Sequence, residues 1–151
     1  MLRQASVRQL REGAISRAKA HIAICMCLHP RGMPGELRDE FLSILAPDRN
    51  LFRDWKSREA KVGHEAAFRE TNYEERFQLP PEALVELRRL IGLSREKIVY
   101  LVCQCAVGER CHREILLLTA KAMGAETGNV YHRYPVFEAR LPGIIGQDQA
   151  G

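Results

Sequence analysis

No apolar run in the chain approaches the ~20 residues that a membrane-spanning helix needs. Met1 to Ala20 are polar and carry arginines, with no apolar stretch of the kind that forms a secretory leader. Neither a membrane protein nor an exported one is expected. The five cysteines are an odd number, so a complete disulfide framework is excluded. With no leader, the expectation is a reducing cytoplasm in which the cysteines are free thiols or ligands. Internal repeats and low-complexity tracts are absent. So is any basic stripe with interleaved aromatics, and the formal net charge of +4 is spread along the chain. That argues against a nucleic-acid partner. Lysine is scarce beside arginine. The guanidinium suits planar recognition of phosphate or carboxylate, although a GC-rich genome is the expected source of most of the excess.

What is present is enough for one domain. The chain has 151 residues, 46% of them hydrophobic and 28% charged, so it can bury a core without staples. His21 to Leu28 reads as a strand, stopped by the two prolines and two glycines of HPRGMPG. Leu37, Phe41, Ile44 and Leu45 sit at helical spacing, which predicts a helix over 36–47 ended by Pro47. Asp48 caps a second helix carrying Leu51, Phe52 and Trp55. A third is expected over 64–78. A fourth runs from Pro81 to Gly92, with Leu84, Leu87, Leu90 and Ile91 as its stripe. EKIVYLVCQC is β-branched and nearly all apolar, as in a strand buried on both faces. Cys111 to Ala125 reads as a helix, and NVYHRYPVF as an edge strand.

This order predicts an α/β fold: one domain with a mostly parallel sheet and helices on both faces. The expected boundaries are an N-terminal segment at 1–20, the α/β domain at 21–140 and a loose tail at 141–151. Strand order and oligomeric state leave no mark in the sequence.

The chemistry concentrates at LVCQCAVGERCHREILLL, Leu101 to Leu118, which holds three cysteines, a histidine and two arginines at a strand-to-helix turn. Ligands of α/β sheets bind outside the carboxyl ends of strands. A helix N-terminus there favours an anion and acidifies a thiol. Cys105 and Cys111 are the candidate nucleophilic or redox thiols, and His112 the acid–base or orienting group. Cys103, Arg31, Arg110 and Arg113 complete a candidate ligand-binding set for a small anionic molecule. Gly108 is expected to let the loop pack closely on a ligand. Cys25 and Cys27 are read as small core residues, His64 as solvated, and His21 and His132 as structural. No cofactor is expected. The lesser alternative is zinc or iron at the cysteine cluster, against which stand the spacing and the divergence of adjacent side chains at Cys111 and His112.

Two resemblances bear on this turn. PRG at 30–32, LAPDRNLFRDW at 45–55, FRETNYEERF at 68–77 and CQCAVGERCHR at 103–113 together resemble the YeaO-like family of bacterial domains of unknown function. The likeness spans about two thirds of the chain. It implies a small cytoplasmic α/β domain and carries over Arg31, Cys103, Cys111, His112 and Arg113 as site residues, without naming a reaction. CAVGER at 105–110 is similar to the C-x-x-G-x-R loop of rhodanese-like sulfurtransferases, where the cysteine carries a persulfide. Three readings stay open: a thiol enzyme acting on an anionic or nucleotide-like molecule, a non-catalytic ligand-binding or sensor module, and a metal-binding protein.

Overall fold

The structure, a computed structural model, describes the backbone of residues 1–150 and the side chains of residues 1–146. Four short strands form one all-parallel sheet among the described residues: β1 (Leu2–Ser6), β2 (Ala20–Ile24), β3 (Glu40–Phe41) and β4 (Ile98–Cys103). Their order is β1-β4-β2-β3, so the last strand in sequence is inserted between the first two. Seven α-helices accompany them: α1 (Val7–Arg11), α2 (Arg49–Val62), α3 (His64–Glu70), α4 (Tyr73–Arg76), α5 (Pro81–Leu93), α6 (His112–Ala122) and α7 (Pro135–Ala150). The expected single α/β domain with a parallel sheet is the one observed. None of these helices is long and apolar enough to cross a membrane.

Because side chains alternate along a strand, each strand feeds two cores. Leu2, Ala23, Val99 and Leu101 face the larger one, shared with α2 to α7. Ala5, Ile22, Ile24 and Val102 face a smaller one closed by Val7 and Leu10 of α1. The β4 run is fully apolar because it supplies both.

Several expectations are corrected. Residues 1–20 are no separate segment: β1 pairs with β4 in register from Leu2↔Val99 to Ser6↔Cys103. The outer edge of β1 is covered by 126–128, through Leu2 N–H to the Glu126 carbonyl (3.0 Å) and Gly128 N–H to the Leu2 carbonyl (2.7 Å). The helix expected over 36–47 is a 3₁₀ turn, β3 and a second 3₁₀ turn. There Asp39 and Leu42 donate to the Ile22 and Ile24 carbonyls (2.9 and 2.7 Å), so the edge of β2 claims the backbone that a helix would have used. The helix over 64–78 is broken into α3 and α4 by Asn72 in a left-handed conformation (φ 53°). The strand expected at 129–137 is irregular until α7 begins at Pro135. The tail expected to be loose is helical through Ala150, with Pro142 inside the helix and Leu141 buried; Gly151 lies outside the described residues.

Leu2 is completely buried, so Leu2→Ala should cost about 2–4 kcal/mol in urea unfolding. A dispensable N-terminal appendage would give no change.

Candidate functional site

Helix α6 starts at the carboxyl end of the sheet, and its first turn is polar yet inside the protein. Cys111, His112, Arg113 and Glu114 are 3%, 5%, 0% and 0% exposed. Buried polar groups of this kind must find partners, and each one does. The His112 Nε2 donates to the Cys25 carbonyl at the end of β2 (2.6 Å). A carbonyl only accepts, so the Nε2 proton is fixed and Nδ1 is left facing the thiols. Nδ1 lies 3.6 Å from Cys111 Sγ. The sulfur atoms of Cys103 and Cys111 and a ring nitrogen of His112 all fall within 4.8 Å of one another. Adjacent side chains diverge inside a helix, but Cys111 is the N-cap, with an extended backbone (φ −155°, ψ 150°). That geometry brings its thiol beside His112, which corrects the divergence expected from the sequence.

The cluster is electrostatically asymmetric. Hydrogen bonds from the Cys105 and Cys111 thiols hold Cys103 well below the ordinary thiol range, against its burial and with help from His112. Cys105 is pushed far up by the same contacts to Cys103 and Cys111 and by burial, so it stays a thiol. Burial opposes a charge on His112, but the facing Cys111 and Cys103 outweigh it and raise the imidazole well above its usual value. The preferred state is a Cys103 thiolate beside a His112 imidazolium. Cys25, fully buried next to Cys103, is pushed up by desolvation.

Arg113 does not face the cavity. Its Nε donates to Gln4 Oε1 (2.8 Å), and its two terminal nitrogens reach the carbonyls of Ala5 (2.9 Å), Cys105 (2.9 Å) and Ala106 (3.2 Å). It ties the end of β1 to the loop after β4 and thereby places Cys105. Glu114 accepts from Tyr131 N–H (2.6 Å), the His132 Nδ1 (2.7 Å), the Tyr134 hydroxyl (2.7 Å) and Gln4 Nε2 (3.1 Å). Tyr134 in turn accepts from the Cys111 N–H (3.2 Å), satisfying a donor at the start of α6. Burial alone would raise the Glu114 carboxyl, yet these donors hold it below its usual range.

A cavity of about 330 Å³ opens onto the cluster, with Cys103, Cys105, Cys111 and His112 in its lining beside Trp55, Phe68 and Tyr73. His64 lines it too, so it is not a solvated residue as expected. Its ring lies against Glu59 (3.1 Å) and Glu109 (3.4 Å), and its Nε2 donates to the Arg110 carbonyl (2.5 Å). Arg110 is paired with Glu65 (2.9 Å) and lies over the Tyr134 ring at 5.0 Å. Gly108 serves a turn with a positive φ (104°), a conformation that favours glycine.

The structure therefore gathers Cys103, Cys105, Cys111, His112 and Arg110 around one cavity. Arg113 sits behind it, and the exposed Arg31 is not among the lining residues. Sequence reasoning missed Gln4, Glu114 and Tyr134 as supports, and Trp55, His64 and Tyr73 as lining. The available signal for the supports was two oppositely charged residues at the head of the apolar run EILLL.

A metal would find donors here. Zinc bonds of ~2.3 Å to sulfur and ~2.1 Å to nitrogen at tetrahedral angles place S and N ~3.6 Å apart. Cys111 and His112 show that separation (3.6 Å).

The family model DUF488-N3a, described as the active DUF488-N3 subclade, matches residues 4–123. The chain belongs to this family. DUF488 is the YeaO-like family of unknown function, the one that the sequence motifs resemble. The DUF488-N3a match runs from β1 past the end of α6. It takes in the whole Cys103–Cys111–His112 cluster, Arg113 and Glu114, and leaves out Tyr134. No curated protein and no solved structure matches the chain.

Glu114 binds its donors as a carboxylate and has a native pKa below its unfolded value. Its contribution is therefore present above about pH 4.3 and lost as the pH falls through the lowered native value. Glu114→Gln should cost roughly 3 kcal/mol at pH 7 in urea unfolding, and the gap from wild type should narrow as the pH falls below 4. A pH-independent gap would contradict the charge assignment.

Proposed function

We propose that the protein is a thiol-dependent enzyme that acts on a small molecule bound in the 330 Å³ cavity, with Cys103 as nucleophile and His112 as its proton partner. The observation that carries this reading is the fixed Nε2–H to Cys25 bond (2.6 Å), which leaves the other ring nitrogen facing two thiols in the lining of a cavity. A thiolate paired with an imidazolium is the activated form of a cysteine nucleophile. The Cys103 sulfur adds to an electrophilic carbon of the ligand. The displaced electron pair moves to the neighbouring nitrogen or oxygen, which takes the proton from His112 Nδ1. The protonated nitrogen or oxygen departs with that electron pair, and water then attacks the carbon held on Cys103, giving its proton to the neutral His112 and releasing Cys103 as the thiolate. Cys105 stays protonated, and the Cys105 and Cys111 side chains hydrogen-bond to Cys103. The description of the matched subclade as active supports an enzyme, and five free thiols suit a reducing cytoplasm.

A second reading is favoured by one observation. The 3.6 Å separation of Cys111 Sγ and His112 Nδ1, with the other ring nitrogen on a backbone carbonyl, also suits a zinc ligand set completed by Cys103.

Timed alkylation with iodoacetamide at pH 7, read by peptide mass spectrometry, separates them. Cys103 should label at least tenfold faster than Cys25, and His112→Gln should slow Cys103 about tenfold while leaving Cys27 unchanged. Equal Cys103 rates in wild type and His112→Gln sink the nucleophile. Stoichiometric zinc in protein purified without chelator, with Cys103 labelling only after its removal, establishes the metal reading instead.

A further inference from the structure

Trp55 is 8% exposed and lines the cavity, yet its indole Nε1 is buried with no hydrogen-bond partner among the described residues. The ring itself is held edge-on against His64, with centroids 5.0 Å apart. Phe68, stacked on Tyr73 at 4.1 Å, and Phe52 also line the cavity. Such walls favour a flat ring as occupant. At about 330 Å³ the space lies at the small end of the range for ligand sites.

The cavity does not end at Phe52. A neighbouring recess of about 380 Å³ shares Cys27, Leu28, Phe52 and Lys56 with it and adds Arg49 and Arg53. Arg49, Arg53 and Lys56 stand at i, i+4 and i+7 of α2, on one face of the helix. Among the described residues neither arginine makes an ion pair. Lys56 lies 3.7 Å from Glu59 and 6.0 Å over the Trp55 ring. Two unpaired guanidinium groups beside an aromatic cavity match an anionic tail that leaves the cavity, and phosphate is the anion their fork geometry fits best.

We propose that the cavity and this recess form one site for a phosphorylated heteroaromatic molecule of the nucleoside monophosphate class. Its ring lies among Phe52, Trp55 and Phe68, and its phosphate sits on Arg49 and Arg53. This goes beyond the thiol reading and does not depend on it, because none of these groups is a thiol.

Trp55 is the only tryptophan, so its fluorescence reports this site directly. The full chain is titrated with AMP, GMP, CMP and UMP, with the four nucleosides and with inorganic phosphate. At least one monophosphate should change the emission saturably, and its nucleoside should bind about tenfold more weakly. Phosphate alone should leave the emission unchanged. The surface double variant Arg49→Ala/Arg53→Ala should weaken the monophosphate about tenfold and leave the nucleoside as it was. Trp55→Phe, followed by calorimetry, should weaken both alike. The proposal is overturned if no monophosphate gives a saturable change, if nucleoside and monophosphate bind equally, or if the double variant binds as wild type does. Iodoacetamide labelling of Cys103 in Arg49→Ala/Arg53→Ala, expected at the wild-type rate, keeps failure of this site distinct from failure of the thiol chemistry.

Discussion

Everything at the carboxyl end of the sheet depends on one constraint: Cys111 to Glu114 put a thiol, an imidazole, a guanidinium and a carboxylate inside the protein in four consecutive residues. Leaving such groups unpaired would cost more than the domain's whole margin of stability. Their partners therefore decide where the surrounding elements go. His112 takes the carbonyl that follows β2, and Arg113 takes one at the end of β1 and two in the loop after β4. Glu114 collects the irregular stretch around Tyr131, His132 and Tyr134. The first turn of α6 is thus the point where three adjacent strand ends and the segment before α7 are tied together.

The same hub shapes the site. Arg113 and Glu114 are of opposite charge, and Gln4 bridges them by accepting from one and donating to the other. They hold the loop and the helix start so that Cys105, Cys111 and His112 converge on Cys103. An arginine in a cysteine-rich turn reads naturally as an anion ligand. Here it is a strut, and the cationic charge facing the thiols comes from the imidazole. The unpaired guanidinium groups of Arg49 and Arg53 lie instead on the exposed face of α2.

Elements whose pattern reflects their own burial were legible. α5 shows its apolar stripe, and β4 is uniformly apolar because it sits between two strands with a core on each face. α6 was legible for a related reason, since nearly all of it is buried. What failed were segments whose structure is set by partners elsewhere. Leu37 and Phe41 join one core while Leu42 and Leu45 join the other, so apolar residues at helical spacing serve a strand-like path along β2. Tyr131 and Tyr134 suggest an edge strand, but Glu114 has claimed their polar groups. β1 is short and polar on its exposed positions, and its pairing with a strand nearly a hundred residues away has no local sign. The turn at Cys103 to Arg113 was found because its residue types are unusual together. Which thiol carries the charge was not, because that depends on the Cys105 and Cys111 side chains converging on Cys103 in three dimensions, with His112 adding to their effect.

The central claim is that His112 is an imidazolium pinned by that carbonyl and turned toward a Cys103 thiolate. Long-range ¹H–¹⁵N correlation spectra of the His112 ring at pH 7.5 test it most directly. The account predicts two protonated ring nitrogens, with Nε2–H protected from solvent exchange, and a neutral ring protonated at Nε2 in Cys103→Ser. A neutral ring in the wild-type protein, or one protonated only at Nδ1, would contradict it.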